Sequence, residues 1–257
     1  MNKRSIDKIL EEYFEDGIKS FLSHVSINCV VFGYDHPVLK VLVNRLPGQD
    51  FWLLPGGYIK KEENINDAAY RNLRLSGIDN VFLRQIQTFG DAHRVPVYTA
   101  PEVSFSKKHA KIMHWVSRRF VTVNYYGLVN FKRTSIVSGG LSYESKWMDV
   151  NSPDHLGLDH AKIINETRKI LATELQNYPV ASNLLPETFT LNELRGLYEA
   201  ILVRKIDRGT FRRKILSMGV IEKTDSLKDL KGRPADIFRF NQVNYLHSLS
   251  EETKFGF

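Results

Sequence analysis

The chain has a single cysteine, Cys29, set in the apolar run VSINCVVFGY at residues 25–34. A disulfide framework and a multi-cysteine zinc site are both excluded, and Cys29 reads as a packing residue. Runs of eighteen or more apolar residues are also missing. The first residues, MNKRSIDKILEEYFEDG, mix acids and bases at helical spacing instead of following the order of a signal peptide. A cytoplasmic protein with no membrane partner is expected. Charge of one sign is not scarce: 36 Lys and Arg face 29 Asp and Glu, for a formal net charge of +7. Such a balance permits a polyanionic partner without requiring one. With 42% hydrophobic and 25% charged residues in 257, the chain has the composition of a soluble globular protein and the length for two domains.

Residues 5–15 place Ile6, Ile9, Leu10, Tyr13 and Phe14 on one face, and Gly17 can end that amphipathic helix. Two Val- and Ile-rich runs on either side of the turn at Asp35–Pro37 predict a hairpin. The stretch LPGGYIKKEENINDAAYRNLRLSGI, residues 54–78, reads as a loop followed by a helix from about Ile65, after which VFLRQIQTFGD returns to strand character. Residues 97–114 carry little periodicity and are either a pocket lid or a variable surface loop. Strands are then expected in WVSRRFVTVNYYGLVNF and KWMDV, and a long helix over residues 158–178 with Ala161, Ile164, Thr167, Leu171 and Leu175 inward. Strands interrupted by two helices give an α+β fold, a mixed sheet covered on both faces, for a first domain spanning residues 1–178.

Beyond it, YPVASNLL suits a linker that docks through its leucines. In TFTLNELRGLYEAIL, Thr190 and Glu193 form the capping-box pattern ahead of the apolar stripe Leu191, Leu194, Leu197, Tyr198 and Ile201. In KIDRGTFRRKILSMGVI, Asp207 is a second N-cap, Phe211, Ile215 and Met218 point inward, and Gly219 is a stop. Two short strands around a basic loop follow, so residues 179–257 have the order of a winged helix-turn-helix.

Residues 204–214, RKIDRGTFRRK, hold six basic residues against one acid. With Phe211 and Ile215 facing the core, Arg208, Thr210, Arg212 and Arg213 are left outward at the start of the second helix, where a recognition helix presents side chains to duplex DNA. Lys231 and Arg233 would form the wing tip and reach phosphate or the minor groove. Other readings of the basic face are a solvated surface or a seat for an acidic protein partner. Residues 181–257 carry thirteen basic and ten acidic residues, so strong DNA binding calls for a dimer that doubles the contacts.

Gly57, Glu63, Arg71, Leu73, Gly77 and Ile78 resemble the Nudix box, G-x5-E-x7-R-E-U-x-E-E-x-G-U with U apolar. Asn72, Leu75 and Ser76 stand where that box has its metal-binding glutamates, and the interval from Arg71 to Gly77 is one residue short. A hard divalent cation wants carboxylate oxygens beside the substrate phosphates. Catalytic residues, bound metal and cofactor are therefore all expected to be none, with Glu63 and Arg71 in structural roles. With NLLPETFTLNELRGLYEAIL, RGTFRRKILSMGVIEKTD and GRPADIFRFN downstream, the chain resembles the Nudix-related bacterial transcriptional regulators over roughly residues 23–241. The resemblance implies a Nudix-like α/β/α sandwich followed by a winged helix-turn-helix. It further implies a homodimer, a double-stranded DNA operator and a small-molecule effector, ADP-ribose-like in one branch and a sugar in another.

The candidate effector contacts are Arg45, Trp52, Asp91, His93, Arg94 and Arg118, at strand ends or in loops near the box, with FGDAHRVP the densest group. The expected function is a ligand-responsive transcriptional regulator whose inactive Nudix-like domain senses a sugar or sugar-like metabolite. The alternative is a weak Nudix hydrolase of ADP-ribose or nucleoside diphosphate sugars that uses Glu62 and Glu63.

Overall fold

The computed structural model describes residues 21–46, 50–79, 81–92, 94, 115, 118–139, 144–177, 180–229, 234–241 and 243–244. The expected helix at residues 5–15, the segment 97–114, His93, Lys231 and Arg233 lie outside these residues. The first part holds β1 (Phe21–Asp35), β2 (Val38–Arg45), β3 (Gly56–Lys60), α1 (Ile65–Arg74), β4 (Phe82–Phe89), β5 (Val121–Val129), β6 (Glu144–Asp149) and α2 (His160–Asn177). The second holds β7 (Phe189–Thr190), α3 (Leu191–Leu202), α4 (Arg208–Ser217), β8 (Ile221–Asp229) and β9 (Pro234–Phe240).

The long strand β1 organises the first sheet, whose order is β4-β5-β1-β2-β6 with β3 also on β1. The C-terminal part of β1 makes the expected hairpin with β2, Phe32 opposite Val41. Its N-terminal part instead pairs with β3, Ile27 opposite Gly57, and its other edge runs parallel to β5 from Val25↔Val121 to Gly33↔Val129. Alternation along β1 serves both layers. Ile27, Cys29 and Val31 face α1 together with Ile59, Ala68, Ala69 and Leu73, whereas Val30, Phe32 and Tyr34 face the side of α2. The result is an α/β/α sandwich.

Helix α2 keeps Ile164, Thr167, Leu171 and Leu175 inward as expected and departs from that pattern only in its first turn. Ala161 is exposed, and the buried face runs through His160, Ile163, Ile164, Thr167, Arg168, Leu171, Glu174 and Leu175. The cause is polar: His160 turns inward and accepts a hydrogen bond from the backbone N–H of Leu54 at 2.9 Å, which fixes the rotation of the first turn. Farther along, Tyr126 donates to the Glu174 carboxylate, and Arg84 approaches it at 3.2 Å.

After a 3-10 turn at Val180–Asn183, Ala181, Leu184 and Leu185 are buried, so the connecting segment does dock through its leucines. The capping box on α3 is complete, with Glu193 N–H donating to Thr190 Oγ1 at 3.2 Å and Thr190 N–H to Glu193 Oε2 at 2.8 Å. In α4, Asp207 accepts from Thr210 N–H at 2.8 Å, and Phe211 and Ile215 are buried. The two-residue β7 was not legible as a strand; it pairs with β9 and makes a three-stranded sheet in the order β7-β9-β8. One apolar cluster continues from the sheet through Ile163, Ile164, Leu171 and Leu175 of α2 to Leu194, Leu197, Phe211 and Phe238.

Candidate functional site

The loop and helix of the Nudix-like stretch keep their shape through internal contacts. A Cβ on Gly57 would lie 2.4 Å from Asn72 Oδ1, so the missing side chain is what lets β3 approach α1 this closely. Asn72 is buried, and its amide donates to Ala68 O at 2.8 Å. Ser76 is fully buried and accepts from Asn44 Nδ2 at 3.0 Å. Arg71 grips both oxygens of Glu63, at 2.6 and 2.8 Å, and donates to Tyr58 O at 2.8 Å. The Arg71 guanidinium holds the Glu63 carboxyl below the usual carboxylate range. Beside Tyr58 lies a ring cluster that the sequence did not single out. Tyr58, Trp115 and Phe120 have centroids 4.6 to 5.2 Å apart, with Phe21 5.7 Å from Tyr58. Its members are scattered along the chain and share no spacing that would announce them.

Four of the candidate effector residues fall into two groups held by different partners. Arg45 pairs with Glu144, and its guanidinium lies 5.0 Å from the Trp52 ring, which also has Lys146 at 4.1 Å. Trp52 is buried, and its backbone is tied to His155 and Gly157. Asp91 binds Lys162 at 2.7 Å, and Arg94 makes a two-point ion pair with Asp159 at 2.6 and 3.0 Å. Arg94 also donates to Phe89 O, Phe120 O and Thr122 Oγ1. Its guanidinium thus ties the end of β4 and the start of β5 to the start of α2. Arg118 is exposed just before β5, and its backbone N–H donates to Trp115 O at 3.3 Å. The densest sequence group is therefore a clamp on α2, made of charges that are paired within the chain.

Beneath that clamp, His160 is fully buried and burial pushes its imidazole down to about 4, so it is neutral at physiological pH. Nδ1 accepts from Leu54 N–H, and Nε2 lies 3.2 Å from the Asn28 amide nitrogen, so both ring nitrogens are occupied inside the fold. A folded-state value below the ordinary 6.5 means that protonation opposes folding: the contribution is complete above pH 6.5 and is lost as pH falls toward 4. Thermal unfolding should lose about 2 kcal/mol between neutral pH and pH 5 in the intact protein. His160→Gln should remove that part of the slope, and an unchanged slope in this variant would assign the pH dependence elsewhere.

In the second part, Arg208, Thr210, Arg212 and Arg213 are all exposed on α4, while Phe211 packs edge-on against Tyr198 at 5.4 Å. A cleft of about 280 Å³ between the start of α3, α4 and β9 is lined by Arg195, Arg208, Arg212 and Asp236. Strands β8 and β9 stay paired up to Asp229↔Pro234. Among the described residues, no group of three or more His, Cys, Asp or Glu converges as metal ligands would. No described helix is long and apolar enough to cross a membrane.

Residues 181–240 match the family model described as the NrtR DNA-binding winged helix domain. A relative in Acinetobacter baylyi, named an ADPR responsive transcriptional repressor, is 28% identical over 95% of this chain and 92% of its own. The fold is that of Shewanella oneidensis NrtR, solved in complex with a 27mer DNA (TM-score 0.63, 22% identity, covering 87% of this chain and 96% of that one). It is also that of a MutT/nudix family protein from Enterococcus faecalis (TM-score 0.62, 18% identity, covering 94% and 99%). With a Nudix-like sandwich ahead of an NrtR-type winged helix, the chain is similar to the Nudix-related transcriptional regulators.

Proposed function

We propose that this chain is a ligand-responsive transcriptional regulator. Its Nudix-like domain, residues 1–178, binds an ADP-ribose-type metabolite, and its winged helix, residues 179–257, binds an operator duplex as part of a homodimer. The observation that carries the DNA half is α4. Its apolar residues are buried, its arginines are exposed, and it lies within the segment that matches an NrtR DNA-binding winged helix.

The effector reading moves from a sugar to ADP-ribose. The whole-length relative in Acinetobacter baylyi is named for its response to ADPR, and the residues expected to hold a sugar, Asp91 and Arg94, are consumed by Lys162 and Asp159. The ring cluster of Tyr58, Trp115 and Phe120, beside the loop and helix at 57–78, has the aromatic character that an adenine ring recognises.

Binding without hydrolysis is supported by the same loop and helix. Asn72 is buried and carries no carboxylate, Ser76 is buried against Asn44, and Glu63 is engaged by Arg71, which counts against holding a divalent cation or activating water here. The Arg71 pairing of Glu63 also counts against a hydrolase that relies on Glu63.

The test is a thermal-shift series with ADP-ribose and free pentoses, followed by duplex binding with and without the hit. ADP-ribose at about a hundred times its Kd should add about 2.7 kcal/mol to stability. A shift with pentoses and none with ADP-ribose would return the effector to the sugars. Magnesium-dependent turnover of ADP-ribose that is lost in Glu63→Gln would restore the hydrolase reading.

A further inference from the structure

Among the described helices, two contain a glycine, and the two glycines have different reasons. In α3, a Cβ on Gly196 would lie 2.6 Å from Tyr34 Oη and 2.9 Å from the His36 ring, so the bare backbone lets the helix seat on the β1–β2 hairpin. Gly209, in the first turn of α4, has no such neighbour. A Cβ there would meet Asp207 Oδ1 at 3.4 Å, an ordinary contact, and no other described residue beyond its own helix turn within 4 Å. The residue is exposed and does not lie in the left-handed region that favours glycine. An alanine would fit and would favour the helix. No contact among the described residues calls for this glycine, which turns attention to what approaches from outside the chain.

Its surroundings say what approaches. Positions three and four residues apart share a helix face, so Gly209, Arg212 and Arg213 stand together, and Arg208 adjoins them. Both Arg212 and Arg213 are exposed. A patch of bare helix backbone framed by guanidinium groups suits a polyanion whose surface must come closer than a side chain allows. We propose that the first turn of α4 meets the sugar-phosphate backbone of a DNA duplex through Gly209 itself, at a separation that a Cβ would prevent, with Arg212 and Arg213 on the flanking phosphates. This deepens the DNA-binding reading and rests on it.

The experiment pairs two measurements whose signs oppose each other. Full-length wild type, Gly209→Ala and Gly209→Ser are compared in thermal unfolding and in binding to a labelled random-sequence duplex at low salt. Gly209→Ala is expected to melt about 2–4 °C higher, as an alanine in a helix should, and to bind the duplex about tenfold more weakly. Gly209→Ser is expected to lose comparable affinity. An alanine variant that is more stable yet binds as well as wild type overturns the proposal. A less stable one overturns it too, because the glycine would then serve the fold. Wild type that fails to bind the duplex at all sinks the DNA-binding reading itself, an outcome distinct from either.

Discussion

Arg168→Ala should cost about 3 kcal/mol of stability and lower the melting temperature by about 6–12 °C. Arg168 belongs to α2, is nine-tenths buried, and donates to Ala200 O and, at 3.3 Å, to Ile201 O in the last turn of α3, while also bonding Asn151 Oδ1 at 2.8 Å. The last carbonyls of a helix have no partner within it, and here an arginine from the first domain supplies one. The helix then ends on Val203 in the left-handed conformation, φ 56°, an uncommon state for a β-branched side chain that the surrounding contacts must hold. Truncation leaves two carbonyls short of a donor and removes a direct tie between α2 and the helix that precedes α4. Besides the melting temperature, the measurement is the change in duplex affinity on adding ADP-ribose. If α2 carries the ligand signal, Arg168→Ala abolishes most of that change while low-salt duplex binding persists. A variant with wild-type stability and a wild-type response would show that Arg168 is incidental to both.

The second large effect is expected on α4. Arg212 and Arg213 are exposed, so replacing both by alanine should leave the melting temperature nearly unchanged. It should lower duplex affinity about a hundredfold at moderate salt. It should also reduce the slope of log affinity against log salt concentration by roughly one for each phosphate the variant no longer engages. Equal weakening on every sequence would mark both arginines as phosphate binders, whereas relaxed preference at one base pair would mark a base-reading arginine. Unaltered affinity and salt dependence in the double variant would reassign the basic face to another role.

What could be read ahead of the structure was local. Thr190 with Glu193, Asp207 ahead of Thr210, the inward pair Phe211 and Ile215, and the β1–β2 hairpin all depend on residues within a few positions of each other, where periodicity and capping rules apply. Leu184 and Leu185 as docking residues were legible for the same reason. The partners of the candidate pocket residues were not. Asp91 and Arg94 look like ligand donors in the sequence because their partners, Lys162 and Asp159, lie more than sixty positions away. Once paired, those charges stabilise the start of α2 and are spent.

Local chemistry along the chain sets the order of the elements, the absence of the Nudix glutamates at positions 72, 75 and 76, and the division of α4 into an apolar inner face and a basic outer one. Which polar groups are buried, and to what they are bound, came from the folded chain: His160 against Leu54 and Asn28, Glu174 against Tyr126, Asn72 against Ala68, and Arg168 across to α3. The physical reason is that a polar side chain is tolerated inside only with a partner, and three of these four partners arrive from distant parts of the chain. Apolar periodicity cannot see that pairing; it expected Ala161 inside α2, where the fold put His160.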